Sequence, residues 1–71
     1  MKNIKQSFGN IYGGNNPTHG VYTRAALDTW GERAVAISHH WTAVAAEEAA
    51  ARESAARREP CVAVEYTLEV A

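Results

Sequence analysis

The sequence predicts an α+β fold: a small, mostly antiparallel sheet of three to five strands covered by one alanine-rich helix. Three observations carry that expectation. Residues 61–70 alternate almost without a break, with Val62, Val64, Tyr66, Leu68 and Val70 on one face and Ala63, Glu65, Thr67 and Glu69 on the other. A period of two marks a half-buried strand. Residues 47–59 are helical in composition and meet Pro60, which cannot continue a helix. Residues 34–44, Ala-Val-Ala-Ile-Ser-His-His-Trp-Thr-Ala-Val, form a further extended run ahead of that helix. Strand, helix, strand in this order implies a crossover that leaves the two strands parallel, adjacent or with one strand between them.

The remaining elements follow in chain order. Residues 2–12 alternate weakly through Ile4, Gln6 and Phe8, and Gly9-Asn10 interrupts them before Ile11 and Tyr12, as in one bent strand or a short hairpin. Residues 13–20, Gly-Gly-Asn-Asn-Pro-Thr-His-Gly, are a loop by composition. Residues 21–27 read as a second strand, with a short helix over residues 23–30 as the competing reading because Arg24, Ala25, Ala26 and Leu27 favour helix. Trp30-Gly31-Glu32 is a turn in either case. The long helix is built on Ala43, Ala45, Ala46, Ala49, Ala50, Ala51, Ala55 and Ala56, with Glu48–Arg52 and Glu53–Arg57 spaced i, i+4 for ion pairing. A methyl-lined stripe lets the helix axis approach the sheet closely. Core volume is then expected from Val35, Ile37, Trp41, Val62, Val64, Tyr66 and Leu68, with Val64 and Leu68 under the helix.

Composition bounds the function. At 71 residues the chain is read as a single domain over 1–71, 46% hydrophobic and 21% charged, which is globular rather than disordered. A chain this short buries roughly 60% of its unfolded surface, so its margin of stability is thin. Seven basic and eight acidic residues give a net charge of −1. A protein that holds nucleic acid by neutralising phosphates carries a clear basic excess, so direct nucleic-acid binding is not expected. Cys61 is the single cysteine, which excludes an internal disulfide and suits a small apolar filler. The N-terminal residues lack the apolar block of a signal peptide, and no run approaches the roughly 20 apolar residues of a membrane span. A cytoplasmic protein without membrane contact is expected.

The search for chemistry returns little. His39 and His40 are neighbours, so on a strand they point to opposite faces and cannot share one ion. His19 and Cys61 stand apart, outside any zinc-ligand spacing. Ser38 beside His39 diverges in the same way, and no oxyanion-forming glycine turn follows. The glycines near residues 9–14 lack the lysine and hydroxyl ending of a phosphate loop. Neither an enzyme nor a cofactor or metal is expected.

Aromatic side chains carry more. Phe8 and Tyr66 fall on regular apolar faces, whereas Trp30 stands at a turn close to Arg33 and Tyr12 at a loop edge close to His19, and Tyr22 is open to either reading. Exposed Trp, Tyr and Arg dominate binding energetics at interfaces. Tyr12, Tyr22, Arg24, Trp30 and Arg33 are therefore the expected partner-binding residues, on a protein that is either a monomer or a homodimer.

The run Trp41-Thr42-Ala43-Val44-Ala45-Ala46-Glu47-Glu48-Ala49-Ala50-Ala51, in which a strand passes straight into a helix, resembles small phage and mobile-element proteins of the anti-CRISPR type. The resemblance is architectural, covers residues 34–70, and transfers no functional residue because those families share no site motif. It implies a stoichiometric inhibitor that occludes a surface of a CRISPR effector complex, with an effector subunit as protein partner. The reading from a different class is a nucleic-acid-binding regulator, dimerising through a strand edge and using Lys2, Lys5, Arg24 and Arg33 as a local basic patch.

Overall fold

The computed structural model describes residues 2–9 and 11–68. Asn10, Glu69 and Val70, assigned above to a turn and to the two faces of the last strand, lie outside the described residues. Four strands, β1 (Lys2–Gln6), β2 (His19–Thr23), β3 (Ser38–His40) and β4 (Cys61–Leu68), make one sheet in the order β1-β4-β2-β3. Two pairings, β2 with β3 and β2 with β4, are antiparallel, and β1 runs parallel to β4. The sheet is therefore mixed. Because β2 is antiparallel to both neighbours, β3 and β4 are parallel with β2 between them, the separated form of the expected crossover.

Two helices accompany the sheet where the sequence suggested one. Of residues 21–30, the strand reading holds only from Val21 to Thr23, and the competing helix reading holds from Arg24 to Trp30. β2 ends at Thr23, whose hydroxyl accepts the Ala26 N–H at 3.1 Å, and this N-cap starts α1 (Arg24–Trp30). Gly31 ends it at φ 56°, a backbone that a side chain would strain, and a single 3-10 turn (Gly31–Arg33) follows. The second helix, α2 (Ala43–Arg57), begins four residues earlier than its glutamates suggested, because Thr42 caps the Ala45 N–H. The third strand is correspondingly short. Ile37 donates to the Val21 carbonyl at 2.7 Å, pairing spans only β3, and residues 34–36 leave the sheet. The strand reading of residues 2–12 holds for Lys2–Gln6, turns lie at Gly9 and at residues 11–14, and β1 has no hairpin partner among the described residues.

The two faces of the sheet are covered differently, and this reverses one expectation. Val21, Cys61 and Ala63 lie under Ala46, Ala49 and Ala50 of α2, with Ile37 at their margin. Ile4, Tyr22, Val64 and Tyr66 lie on the opposite face with Leu27 of α1 and Ala34, flanked by Phe8, Ala26, Ala36 and Val62. The large residues of β4 thus point away from the alanine helix. A close helix leaves room beneath it only for small side chains, so the smaller alternate set of β4 faces α2. Val64 is fully buried, but Leu68 at 36% and Val35 at 85% are exposed, and Trp41 is at the surface. None of these three supplies the core volume assigned to them. Ser54 joins α2 to β4: its hydroxyl accepts the Cys61 N–H at 2.9 Å and donates to the Cys61 carbonyl at 3.2 Å. Of the two expected ion pairs on the helix, Glu53–Arg57 forms at 2.8 Å, and Glu48–Arg52 is not among those of the described residues. Among the described residues no helix is long and apolar enough to cross a membrane.

Candidate functional site

On the face away from α2, aromatic side chains from four parts of the chain converge. Phe8 follows β1, Tyr12 lies in the turn after it, His39 is the middle residue of β3, and Tyr66 comes from β4. Phe8 meets Tyr12 edge to face at 5.5 Å between centroids and meets His39 at 5.2 Å. Tyr12 continues outward to Trp41 at 5.6 Å, again edge to face. Such contacts add about 0.5–1.5 kcal/mol each beyond area burial. Trp41 donates its indole N–H to the Asn15 carbonyl at 2.8 Å, and Asn15 donates to the Tyr12 carbonyl, so loop and ring hold each other.

Beneath this cluster runs a chain of hydrogen bonds. Gln6 Nε2 donates to Tyr22 Oη at 3.0 Å, Tyr22 Oη and Tyr66 Oη are 3.1 Å apart, and Tyr66 Oη stands 2.8 Å from His39 Nδ1. One assignment uses every proton: Gln6 to Tyr22, Tyr22 to Tyr66, Tyr66 to His39. His39 then accepts at Nδ1 and carries its proton on Nε2. Burial and the Tyr22 hydroxyl push the Tyr66 phenol well above the ordinary tyrosine range, so it is a neutral donor. Burial, with a smaller effect from His40, lowers His39 below its ordinary value of 6.5 and favours the neutral ring. Gly20 makes room for the whole arrangement. A Cβ there would fall on the Tyr66 hydroxyl and within 2.5 Å of its Cζ.

The opposite face carries a polar row in register across all four strands: Asn3, Glu65, His19 and His40. Asn3 Nδ2 donates to Glu65, Glu65 lies 4.0 Å from His19 Nε2, and His40 Nε2 is 2.8 Å from Ser38 Oγ. His39 and His40 indeed point to opposite faces. Serine pairs with the histidine two residues on, a same-face spacing that the comparison with His39 overlooked. A nucleophilic serine needs a base that is itself oriented by a third group, and the one carboxylate of this row stands by His19 rather than His40. No three His, Cys, Asp or Glu side chains of the described residues are grouped to hold a metal ion.

The five residues expected to bind a partner do not form one surface. Tyr12 belongs to the aromatic cluster and is half-buried. Tyr22, 1% exposed, is interior and cannot contact a partner. Its place on β2, opposite Val62, follows from the strand reading of that segment, which turns its ring to the large-residue face. Arg24 is exposed at the far end of β4, where its N–H bonds the Pro60 carbonyl. Five residues of strand, roughly 17 Å, separate that end from Tyr66. Arg24 and Lys2 border a cleft of about 560 Å³ floored by Leu27, Val62 and Ala63, but Asp28 and Glu47 border it too. The basic and acidic side chains of this cleft balance, and neither Lys5 nor Arg33 lines it. Trp30, 63% exposed, and Arg33 lie at the end of α1 and in the 3-10 turn, which packs beside β1. The residues missed in the sequence are Trp41, His39 and Gly20. The position of Trp41 directly before the helix-capping Thr42 was the available signal, because a chain turning out of a strand brings that side chain to the surface. Comparison with protein families, curated proteins and solved structures finds no match to this chain.

Proposed function

We propose that the protein is a small non-enzymatic binding module that presents the Tyr12–Trp41 surface to a protein partner. The observation that carries this reading is the number of large apolar side chains left outside. Ile11 next to Tyr12 is 78% exposed, Trp41 is 43% exposed, and Val44, the second residue of α2, is exposed as well. Aromatic anchors held by packed neighbours and ringed by apolar surface are what interface cores use. In its sharper form the proposal makes the protein a phage-encoded inhibitor acting in the host cytoplasm, which occludes a CRISPR effector surface. Its support is the architectural resemblance over residues 34–70. Purified effector complexes, titrated with the protein in a target-cleavage assay, test that form through stoichiometric loss of cleavage. Surface mapping tests the general form. Tyr12→Ala and Trp41→Ala should each weaken capture of the partner by more than about fivefold, equivalent to 1 kcal/mol. Arg52→Ala on the exposed face of α2 should not. Capture that survives both aromatic changes and fails with Arg52→Ala would place the interface on the helix and end the proposal.

A further inference from the structure

The aromatic surface is backed by a histidine at the end of a hydrogen-bond chain that, with the Gln6 amide donating, runs in one direction. Nδ1 of His39 receives the Tyr66 proton, Tyr66 receives that of Tyr22, and Tyr22 receives an amide proton of Gln6. Adding a proton to His39 turns Nδ1 into a donor facing a donor. To keep the bond, Tyr66 must turn its proton to Tyr22. Tyr22 must then find an acceptor where Gln6 presents N–H, so the Gln6 amide must rotate as well. Three bonds reverse together, beneath a tyrosine seated on Gly20 with no space to shift. Leaving is simpler. His39 sits on the edge strand, half-buried, with water within reach.

The described groups facing His39 offer an added charge nothing in return. They are the Tyr66 hydroxyl from β4, the edges of Phe8 and Tyr12 from the turn after β1, and His40 beside it on β3. The ion pairs of the described residues, His19–Glu65 and Glu53–Arg57, do not involve it. Among the described residues, the protonated ring therefore has no anion to hold it in the cluster.

We propose that His39 is an acid-sensitive latch for the Tyr12–Trp41 surface: neutral, it is pinned by Tyr66 and backs Phe8 and Tyr12; protonated, it swings out and the surface loses its support. This regulation rests on the reading of that surface as the binding site. The direction of the effect follows from linkage. A histidine harder to protonate when folded leaves the unfolded chain binding more protons, so its stabilisation is present in full above 6.5. It is lost as pH falls through that value towards the lower folded one. If only the neutral form is competent, apparent affinity for a partner falls about tenfold at one pH unit below the His39 midpoint.

The test needs no partner for its first arm. Histidine ring nitrogens are followed by NMR from pH 8 to pH 4, together with the Trp41 indole N–H and its fluorescence. His39 should carry its proton on Nε2 at pH 8 and titrate below 6.5, and the Trp41 signals should move with the same midpoint. Tyr66→Phe keeps the ring but removes the donor, and should raise both midpoints together. In His39→Phe the Trp41 transition should vanish. A Trp41 signal that stays flat through the His39 titration, or that titrates unchanged in His39→Phe, overturns the latch. The second arm repeats partner capture across the same pH range. If Trp41 follows His39 but Trp41→Ala leaves capture intact, the binding surface is wrong and the latch stands. If Trp41→Ala abolishes capture while capture by the native chain ignores the His39 midpoint, the surface stands and the latch as its regulator is refuted.

Discussion

Gly20→Ala is the smallest change that should do large damage. The glycine lies in β2 opposite Val64 and His39, in extended backbone that alanine adopts freely, so the cost is steric. The new methyl would overlap the Tyr66 hydroxyl, come within 2.5 Å of Cζ, and stand 3.1 Å from Cε1 of Tyr22. Neither ring can retreat, since Tyr22 is fully buried and Tyr66 nearly so. Overpacking of a filled core costs about 1–3 kcal/mol. Displacing Tyr66 also strands the buried Tyr22 hydroxyl, at about 1–3 kcal/mol for a lost buried partner. The sum, about 2–6 kcal/mol, compares with a total of about 4–11 kcal/mol for a chain of this length at typical stability per residue. Urea denaturation followed by circular dichroism reads the loss directly. With a slope near 1 kcal/mol per molar, the midpoint should fall by about 2 M or more, or the variant should not fold. Tyr66→Leu supplies the control in either event, because it removes the ring atoms that the methyl would strike. Adding Gly20→Ala in that background should cost less than about 1 kcal/mol, a large non-additivity of the kind expected for residues in contact. An equal loss in both backgrounds would refute the close-approach argument and place the role of Gly20 in the backbone.

Two further outcomes test the division of the sheet into a large-residue face and a small-residue face. Leu27→Ala should cost about 2–5 kcal/mol in chemical denaturation, because Leu27 is buried against Tyr22 and Val64, whereas Leu68→Ala, at the exposed end of β4, should cost far less. Equal losses would contradict the register of β4. Ala46→Leu should destabilise by about 1–3 kcal/mol because its methyl is already enclosed between α2 and Val21. Ala55→Leu on the outer side of the same helix should leave the melting temperature nearly unchanged.

The elements themselves were legible in the sequence because their signals are local. Alternation marked β4, alanine marked the body of α2, and the histidine pair divided between two faces as a strand requires. The end of α2 comes at Arg57, two residues before the expected Glu59, because Arg58 turns left-handed at φ 55° ahead of Pro60. The failures share a physical cause. Alternation says that β4 has two faces but not which of them meets the helix, and the larger side chains were assigned to the wrong one. Helix starts depend on single capping hydroxyls, and Thr23 and Thr42 each outweighed an extended-looking neighbourhood. The aromatic site was less legible still. Tyr12 was recognised, but its contacts with Phe8, His39 and Trp41 depend on how the turn after β1 folds back over the sheet. No periodicity reports that. Tyr22 shows the limit of reading a tyrosine by its distance from a loop: the same residue types build interfaces and buried hydroxyl networks, and only the face of the strand distinguishes them.

That distinction explains why this chain can keep so much apolar surface outside. The α2 side is closed by methyl groups and held to β4 through the Ser54 hydroxyl, with no titratable group in its buried apolar cluster other than the Cys61 thiol. The aromatic side is closed only partly, by rings that touch at their edges and stand on a chain of proton donors ending at one histidine. The apolar cluster under α2 thus holds no histidine, and the half-buried Tyr12 and surface Trp41 rest on the side whose support ends at one. Substitutions beneath α2 should therefore shift unfolding without shifting the pH response of Trp41. Substitutions along Gln6, Tyr22, Tyr66 and His39 should shift that response even where unfolding moves little. A domain with one undivided core could not separate the two readouts, and this sheet separates them because each of its faces has its own cover.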